Sequence, residues 1–181
     1  GDVYKRQANH PTLIDVVVLI GLMEQANCVV KQALWSNPFT KGPVQSAGYI
    51  LNAGSEQFIQ DCVHKLQQDH AASLLIFPEG TRTAKGEQLN DFQRGAANIA
   101  LRAGVPIRPV LISCTPSTLT KNEKWYHIPE QPFHIHVKVL DAIRVEDVLD
   151  DVTVNPKNVR QLNQQLQWFF NQELSVNEQS C

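Results

Sequence analysis

Helix-type and strand-type segments alternate along this chain, and that alternation constrains the fold more than any other sequence feature. Residues 73–77 form a short apolar run typical of a strand buried on both faces, and residues 106–113 are predicted to form another buried strand. Between them, residues 91–103 are predicted to form a helix that is closed by Gly104. This order predicts a single-domain α/β fold with a central mixed, mostly parallel sheet flanked by helices.

The remaining elements continue the pattern. The sequence predicts a short strand at 28–32, a loop with a short helix at 37–48, an amphipathic helix at 55–68 capped by Ser55, a polar loop at 84–89, an edge-like strand at 133–140 and a last helix at 159–174. Residues 11–23 are ambiguous, because their β-branched run favours a strand. Their length, and a proline suited to the first helical position, favour a buried helix instead.

Composition excludes several classes of protein. A chain of 181 residues with 43% hydrophobic residues is long enough for one packed domain. Its net charge of −2 argues against a nucleic-acid partner. The four cysteines have neither paired nor zinc-type spacing, so we expect reduced, mostly buried thiols and no metal site. The apolar run at 13–23 is shorter than the roughly 20 residues that a membrane span requires.

One candidate site lies in the stretch N-H-P-T-L-I-D at 9–15. Because a residue before proline avoids the α region, His10 should occupy a turn ahead of the helix. Asp15 could then reach back to the imidazole, which gives a general base with an orienting carboxylate. The alternative is that both residues serve only packing and capping.

A second candidate site is F-P-E-G-T-R at 77–82, directly after a buried strand, where α/β folds place ligands. Gly80 permits close backbone approach, Thr81 offers a hydroxyl, and Arg82 offers a planar fork for phosphate. An ordinary turn with a solvated arginine is the alternative.

Together these stretches resemble the glycerolipid (lysophospholipid) acyltransferases, in particular the 1-acylglycerol-3-phosphate O-acyltransferases. Residues 9–15 match the family's H-x-x-x-x-D motif, residues 77–82 its F-P-E-G-T-R signature, and residues 105–110 its later V-P-I-x-P-V strand. Order and separation also fit, so the resemblance covers about residues 8–113.

The resemblance implies a role for each matching residue. His10 would take the proton from an acceptor hydroxyl, and Asp15 would hold and polarise His10. Glu79, Gly80, Thr81 and Arg82 would hold the acceptor's phosphate. Lys31 matches a position where the family often carries a lysine, so it could contact an anion or simply be solvated.

Two stretches depart from the family pattern. The second motif commonly ends in an arginine that contacts the acceptor phosphate, whereas residues 48–54 contain none. Residues 1–7 are polar where an apolar strand is usual, so we expect a foreign leader there, a domain at 8–174 and a tail at 175–181. A membrane-associating segment would normally lie upstream of residue 8.

The resemblance implies transfer of a fatty acyl group from acyl-CoA or acyl-carrier protein to the hydroxyl of a lysophospholipid-like acceptor, without a covalent intermediate. It implies no cofactor, and a place at the cytoplasmic face of a membrane, whose surface would be a partner. Two alternatives stay open, namely a non-catalytic lipid-binding domain of the same fold and an acyl-thioester hydrolase.

Overall fold

A computed structural model of the chain describes residues 5–23, 26–31, 36, 41–46, 49–52, 56–68, 73–123 and 129–178. The strands in these ranges are β1 (Lys5–Ala8), β2 (Ala26–Lys31), β3 (Ile50–Asn52), β4 (Ser73–Ile76), β5 (Ile107–Thr115) and β6 (His134–Val139). The helices of at least six residues are α1 (Asp15–Gly21), α2 (Lys41–Ser46), α3 (Glu56–Gln68), α4 (Arg94–Ala103) and α5 (Pro156–Glu178). A short 3₁₀ turn spans Val145–Asp147.

The six strands form one sheet in the order β3-β2-β4-β1-β5-β6. The first five strands are parallel, and β6 pairs with β5 in the antiparallel direction. This confirms the predicted mixed, mostly parallel α/β sheet. It also puts β6 at an edge, as its alternating sequence predicted.

Alternate side chains of the strands enter cores on opposite faces of the sheet. On one face Leu74 and Ile76 of β4 pack with α3 and α4, while α5 packs beside them against β5. On the other face Leu75 packs with Val110 and with Leu19 of α1. The sheet is therefore covered by helices on both sides, which explains the apolar runs of β4 and of residues 109–112 in β5.

Helix α4 begins at Arg94, three residues later than predicted. Gln93 has an extended backbone, and its N–H donates to the carbonyl of Pro78 (2.7 Å), so this segment serves the neighbouring loop instead of the helix. The predicted end is confirmed. Gly104 has φ +63° and its N–H donates to Ala100, a left-handed closure that glycine adopts without steric cost.

The prediction of a buried helix at 11–23 is half right. The segment is helical, but α1 begins at Asp15 and not at Pro11, because the Asp15 carboxylate binds Thr12 and holds residues 12–14 as a turn. The helix is also far from buried, since only Asp15 and Leu19 are inaccessible, whereas Val17 is 71% exposed. A β-branched apolar run does not reveal which of its faces a domain covers.

Strand β1 begins at Lys5 and lies between β4 and β5, so the ordered sheet extends beyond the predicted domain start at Ala8. Lys5 is fully buried, and its ammonium donates to the carbonyl of Ala96 (2.5 Å) and to Gln7 (3.3 Å). Such polar side chains are unusual inside a sheet. The foreign origin of residues 1–7 stays a prediction, and residues 1–4 lie outside the described part of the chain.

Both ends of the last helix differ from the prediction, since it begins at Pro156 and not at residue 159. Helix α5 continues to Glu178, beyond the predicted end at residue 174 and into the predicted tail. The predicted cap Ser55 lies outside the described residues. Within the described ranges, no helix is both long and apolar enough to cross a bilayer.

Candidate active site

A pocket of about 430 Å³ lies where several parallel strands end. His10 follows β1, Phe77 follows β4, and Asn52 is the last residue of β3. Much of the lining is apolar and includes Val16, Val29, Phe58, Ile76, Ala96 and Ile99. The polar lining includes His10, Asn52, Thr81, Arg82, Lys121 and Asn122. The pocket can therefore take an amphiphile, with a chain against the apolar side chains and a headgroup against the polar ones.

His10 and Asp15 meet as the sequence predicted. Nδ1 of His10 lies 3.0 Å from Oδ2 of Asp15, the carboxylate is fully buried, and the imidazole is 16% exposed. The ring also stacks on Phe77, with centroids 4.4 Å apart. A carboxylate accepts hydrogen bonds only, so the neutral ring carries its proton on Nδ1 and presents the lone pair of Nε2. That is the form that can act as a general base.

Thr12 orients the Asp15 carboxylate. Its backbone N–H donates to Oδ2 (2.7 Å) and its hydroxyl donates to Oδ1 (2.5 Å). Asp15 thus caps the turn from the first residue of α1, in the manner of one half of a capping box. The sequence analysis did not single out Thr12, although its position three residues before Asp15 is the signal that could have identified it.

Asn9 fixes the point at which the chain leaves the sheet. Its side-chain amide donates to the carbonyl of Ile112 (2.8 Å), and its side-chain oxygen accepts from the N–H of Ile112 (2.7 Å). The side chain therefore replaces a backbone rung between β1 and β5, which frees the main chain to turn towards His10. Sequence reasoning missed this role.

The structure gives Glu79 partners other than the phosphate that the resemblance implied. Its carboxylate is buried and accepts hydrogen bonds from the N–H of His10 (2.8 Å), the hydroxyl of Thr83 (2.9 Å), and both the N–H (2.8 Å) and the side-chain amide (2.7 Å) of Asn90. Glu79 thus ties the loop after β4 to the residue that carries the imidazole. Sequence analysis did not identify Thr83 or Asn90.

Gly80, Thr81 and Arg82, for which the resemblance implied contact with phosphate, line the pocket. Gly80 has φ +67°, which a residue with a side chain rarely adopts. Arg82 is already partly engaged, because its Nη1 donates to the carbonyls of Leu119 (3.0 Å) and Thr120 (2.8 Å). The rest of the guanidinium remains available for an anion.

Two predicted features lie partly outside the described residues. The backbone of Lys31 ends β2 and pairs with Asn52, but its side chain is outside the described part of the structure. In the second-motif stretch the structure describes residues 49–52, of which Asn52 lines the pocket. Of the thiols that the structure describes, Cys28 and Cys62 are buried, and burial raises the pKa of each to about 12, whereas Cys114 is partly exposed.

The fold and the site together define an acyltransferase domain. Residues 7–113 match the family model described as Acyltransferase, and the chain belongs to this family. The match covers nearly the same residues as the three motifs.

Individual relatives of this chain carry the name of an acyltransferase. The chain is 32% identical over 110 residues to the 1-acyl-sn-glycerol-3-phosphate acyltransferase of Helicobacter pylori, covering 58% of this chain and 46% of that protein. It is 30% identical over 151 residues to the enzyme of the same name from Saccharomyces cerevisiae, covering 80% of this chain and 48% of that protein. The chain thus spans about half the length of these relatives.

A solved structure has the same fold. The 1-acyl-sn-glycerophosphate acyltransferase PlsC of Thermotoga maritima superposes with a TM-score of 0.76, at 19% identity, over 98% of this chain and 67% of that one. At this identity the likeness shows the architecture alone.

Proposed function

We propose that this domain transfers a fatty acyl group from a thioester donor, acyl-CoA or acyl-carrier protein, to the hydroxyl of a 1-acylglycerol-3-phosphate-like acceptor. The observation that carries the proposal is the 3.0 Å contact between His10 Nδ1 and the buried Asp15 carboxylate, at a pocket shaped for an amphiphile. Relatives bearing the name of this activity support the choice of acceptor.

The reaction uses His10 as base. Nε2 of His10 removes the proton of the acceptor hydroxyl while the hydroxyl oxygen attacks the carbonyl carbon of the thioester. The new C–O ester bond forms, the C–S bond breaks, and the proton passes from the imidazolium to the departing thiolate. Asp15 stabilises the imidazolium between these two steps. Since a thioester is already activated, the proposal requires no metal or redox cofactor, and turnover should persist in a chelator.

The headgroup and the membrane complete the proposal. Thr81 and Arg82 face the phosphate, and Glu79 supports the loop that carries them. Leu13, Val17 and Leu22 are exposed apolar side chains on or beside α1, and Leu13 also lines the pocket. We propose that these side chains contact the cytoplasmic surface of a membrane, from which the acceptor would enter. Sedimentation with vesicles, comparing the wild type with Val17→Glu, tests that placement.

The experiment for the activity is lipid mass spectrometry after incubation with oleoyl-CoA or oleoyl-acyl-carrier protein and lysophosphatidate. His10→Ala should lower the transfer rate by about 10²–10⁴-fold. Asp15→Asn should also lower it, because an amide cannot stabilise the imidazolium. His134→Ala, at an exposed histidine of β6, is the matched control. Thermal melts on the same preparations separate lost chemistry from lost folding.

Three outcomes contradict the proposal. Normal transfer by folded His10→Ala removes the base from the mechanism. Donor consumption without an acylated product would indicate a thioester hydrolase. Lipid binding by a wild-type domain that turns over no donor would indicate a binding module.

A further inference from the structure

The pocket carries positive charge although the chain as a whole has a net charge of −2. Arg82 and Lys121 both line it, and no carboxylate is found among the described residues of the lining. The Arg82 side chain lies against the loop that carries Lys121, since it donates to the carbonyl of Thr120, the residue before Lys121. A phosphate monoester, with a charge of about −1.5 to −2 at neutral pH, is the kind of group such a wall attracts.

The loop that carries Lys121 is held in place on both sides. The carbonyl of Leu119 accepts from the N–H of Leu13 (3.0 Å) and from Arg82 (3.0 Å), which joins the loop to the start of α1 and to the loop after β4. On the other side, Glu123 accepts from the N–H of Thr120 within the loop (2.9 Å) and pairs with Lys85 of the loop after β4 (3.3 Å). The backbone of Lys121 is thus fixed while its side chain stays exposed at the pocket.

The nearest acidic side chain in this loop is already engaged. The Glu123 carboxylate accepts from Thr120 and pairs with Lys85 (3.3 Å). Those contacts lower the pKa of Glu123, the Thr120 hydrogen bond most of all. No described carboxylate forms an ion pair with Lys121. Its ammonium group is therefore available for a ligand in the pocket.

The positive charge of Lys121 is important because the second-motif stretch lacks an arginine. Residues 48–54 contain no arginine, and the end of β3 contributes Asn52 to the pocket. In the sheet, β3 is separated from β5 by β2, β4 and β1, so Asn52 and Lys121 follow strands that are far apart. We propose that Lys121 binds the acceptor phosphate together with Arg82. This inference rests on the proposed function and adds a specificity-determining residue to it.

The test measures binding as well as turnover. Equilibrium binding of a short-chain lysophosphatidate and of the monoacylglycerol with the same chain is measured by calorimetry for the wild type, Lys121→Gln and Lys121→Arg. We expect Lys121→Gln to weaken lysophosphatidate binding about tenfold, with Lys121→Arg within about threefold of the wild type. Monoacylglycerol binding and the KM for oleoyl-CoA should not change. Lys138→Gln, at an exposed lysine of β6, is the control.

The outcomes separate the two proposals. A wild type that binds the phosphorylated lipid through Lys121 but transfers no acyl group supports this inference while the proposed function fails. Three results for Lys121→Gln overturn the role of Lys121. The variant binds lysophosphatidate as tightly as the wild type, its binding of both lipids weakens equally, or only its KM for oleoyl-CoA rises. A wild type without preference for the phosphorylated lipid also overturns it.

Discussion

The backbone N–H of His10 donates to the carboxylate of Glu79 at 2.8 Å, across 69 positions of sequence. The carbonyl of His10 in turn accepts from the N–H of Thr83 (2.7 Å). The loop after β4 therefore holds both polar groups of the His10 backbone. The position of the imidazole is set by the same segment that carries Thr81 and Arg82, so the proposed base and the proposed headgroup site are built as one unit.

Replacing Glu79 tests whether the loop after β4 positions His10. In Glu79→Gln the side chain keeps one accepting oxygen but gains an amide that faces the donors of His10, Thr83 and Asn90. We expect a loss of about 1.5–3 kcal/mol in the free energy of unfolding, because charge-assisted hydrogen bonds to a buried carboxylate are removed. The transfer rate of the folded fraction should fall as well. Urea unfolding and kcat are the measurements.

Glu87→Gln, at an exposed glutamate of the same loop, is the control and should change neither quantity. A Glu79→Gln variant with unchanged stability but weaker acceptor binding would instead support direct contact of Glu79 with the substrate.

Asn9→Ala should lower both the free energy of unfolding and the transfer rate. It leaves the N–H and the carbonyl of Ile112 without their partner between two central strands, which should cost about 2–4 kcal/mol. Asn9→Asp can still accept from the N–H but buries a carboxylate oxygen against the carbonyl, so we expect it to be at least as destabilising as Asn9→Ala. Asn171→Ala, on the exposed side of α5, is the control. If both Asn9 variants melt like the wild type, the side chain does not replace a backbone rung.

The sequence did not predict β1, because its residues K-R-Q-A are polar although the strand lies between β4 and β5. It did predict the α/β layers, because burial on both faces favours apolar runs such as β4 and residues 109–112 of β5. It also predicted the His10–Asp15 pair, since Pro11 acts on the residue directly before it. Both signals are local in the sequence, and neither depends on which helices and strands pack against each other.

The other features of the site could not be predicted, because they depend on residues that are distant in the sequence. Glu79 acquires Asn90 from eleven positions along the chain and His10 from 69 positions before it, and no spacing rule encodes either pairing. The exposure of Val17 depends on how far the neighbouring layer extends. Lys121 reaches the pocket only because Arg82 and Leu13 hold its loop there.

Arg82→Ala should weaken acceptor binding by about 1.5–3 kcal/mol, since it removes the charged fork that faces the pocket. It should also release the loop at 119–123, because Nη1 no longer holds the carbonyls of Leu119 and Thr120. Arg82→Lys keeps the charge but not the fork, so it should restore binding only in part. The measurements are KM for lysophosphatidate and amide hydrogen exchange in the loop. Unchanged KM in Arg82→Ala would contradict a role in binding phosphate.

Lys5 makes the stability of the domain depend on pH. Its burial lowers the pKa from the ordinary 10.5 to about 7, because a charged ammonium is poorly solvated between β1 and α4. Between these two values the unfolded chain binds more protons than the folded one, so stability should rise with pH, by up to about 1.4 kcal/mol per unit. Below pH 7 both states are protonated and the full penalty remains.

The informative window is pH 6.5–8.5. Above it the thiols of Cys28 and Cys62, whose pKa values are raised by burial, ionise in the unfolded chain first and lower the stability again. Lys5→Met removes the ammonium and keeps an unbranched side chain of similar length. We expect it to stabilise the domain by roughly 2–4 kcal/mol at pH 6.5, with the gain shrinking towards pH 8.5. Lys138→Met, at an exposed lysine, should leave the profile unchanged. Urea unfolding across the window decides the matter, because parallel profiles for the wild type and Lys5→Met would show that the buried lysine does not titrate on folding.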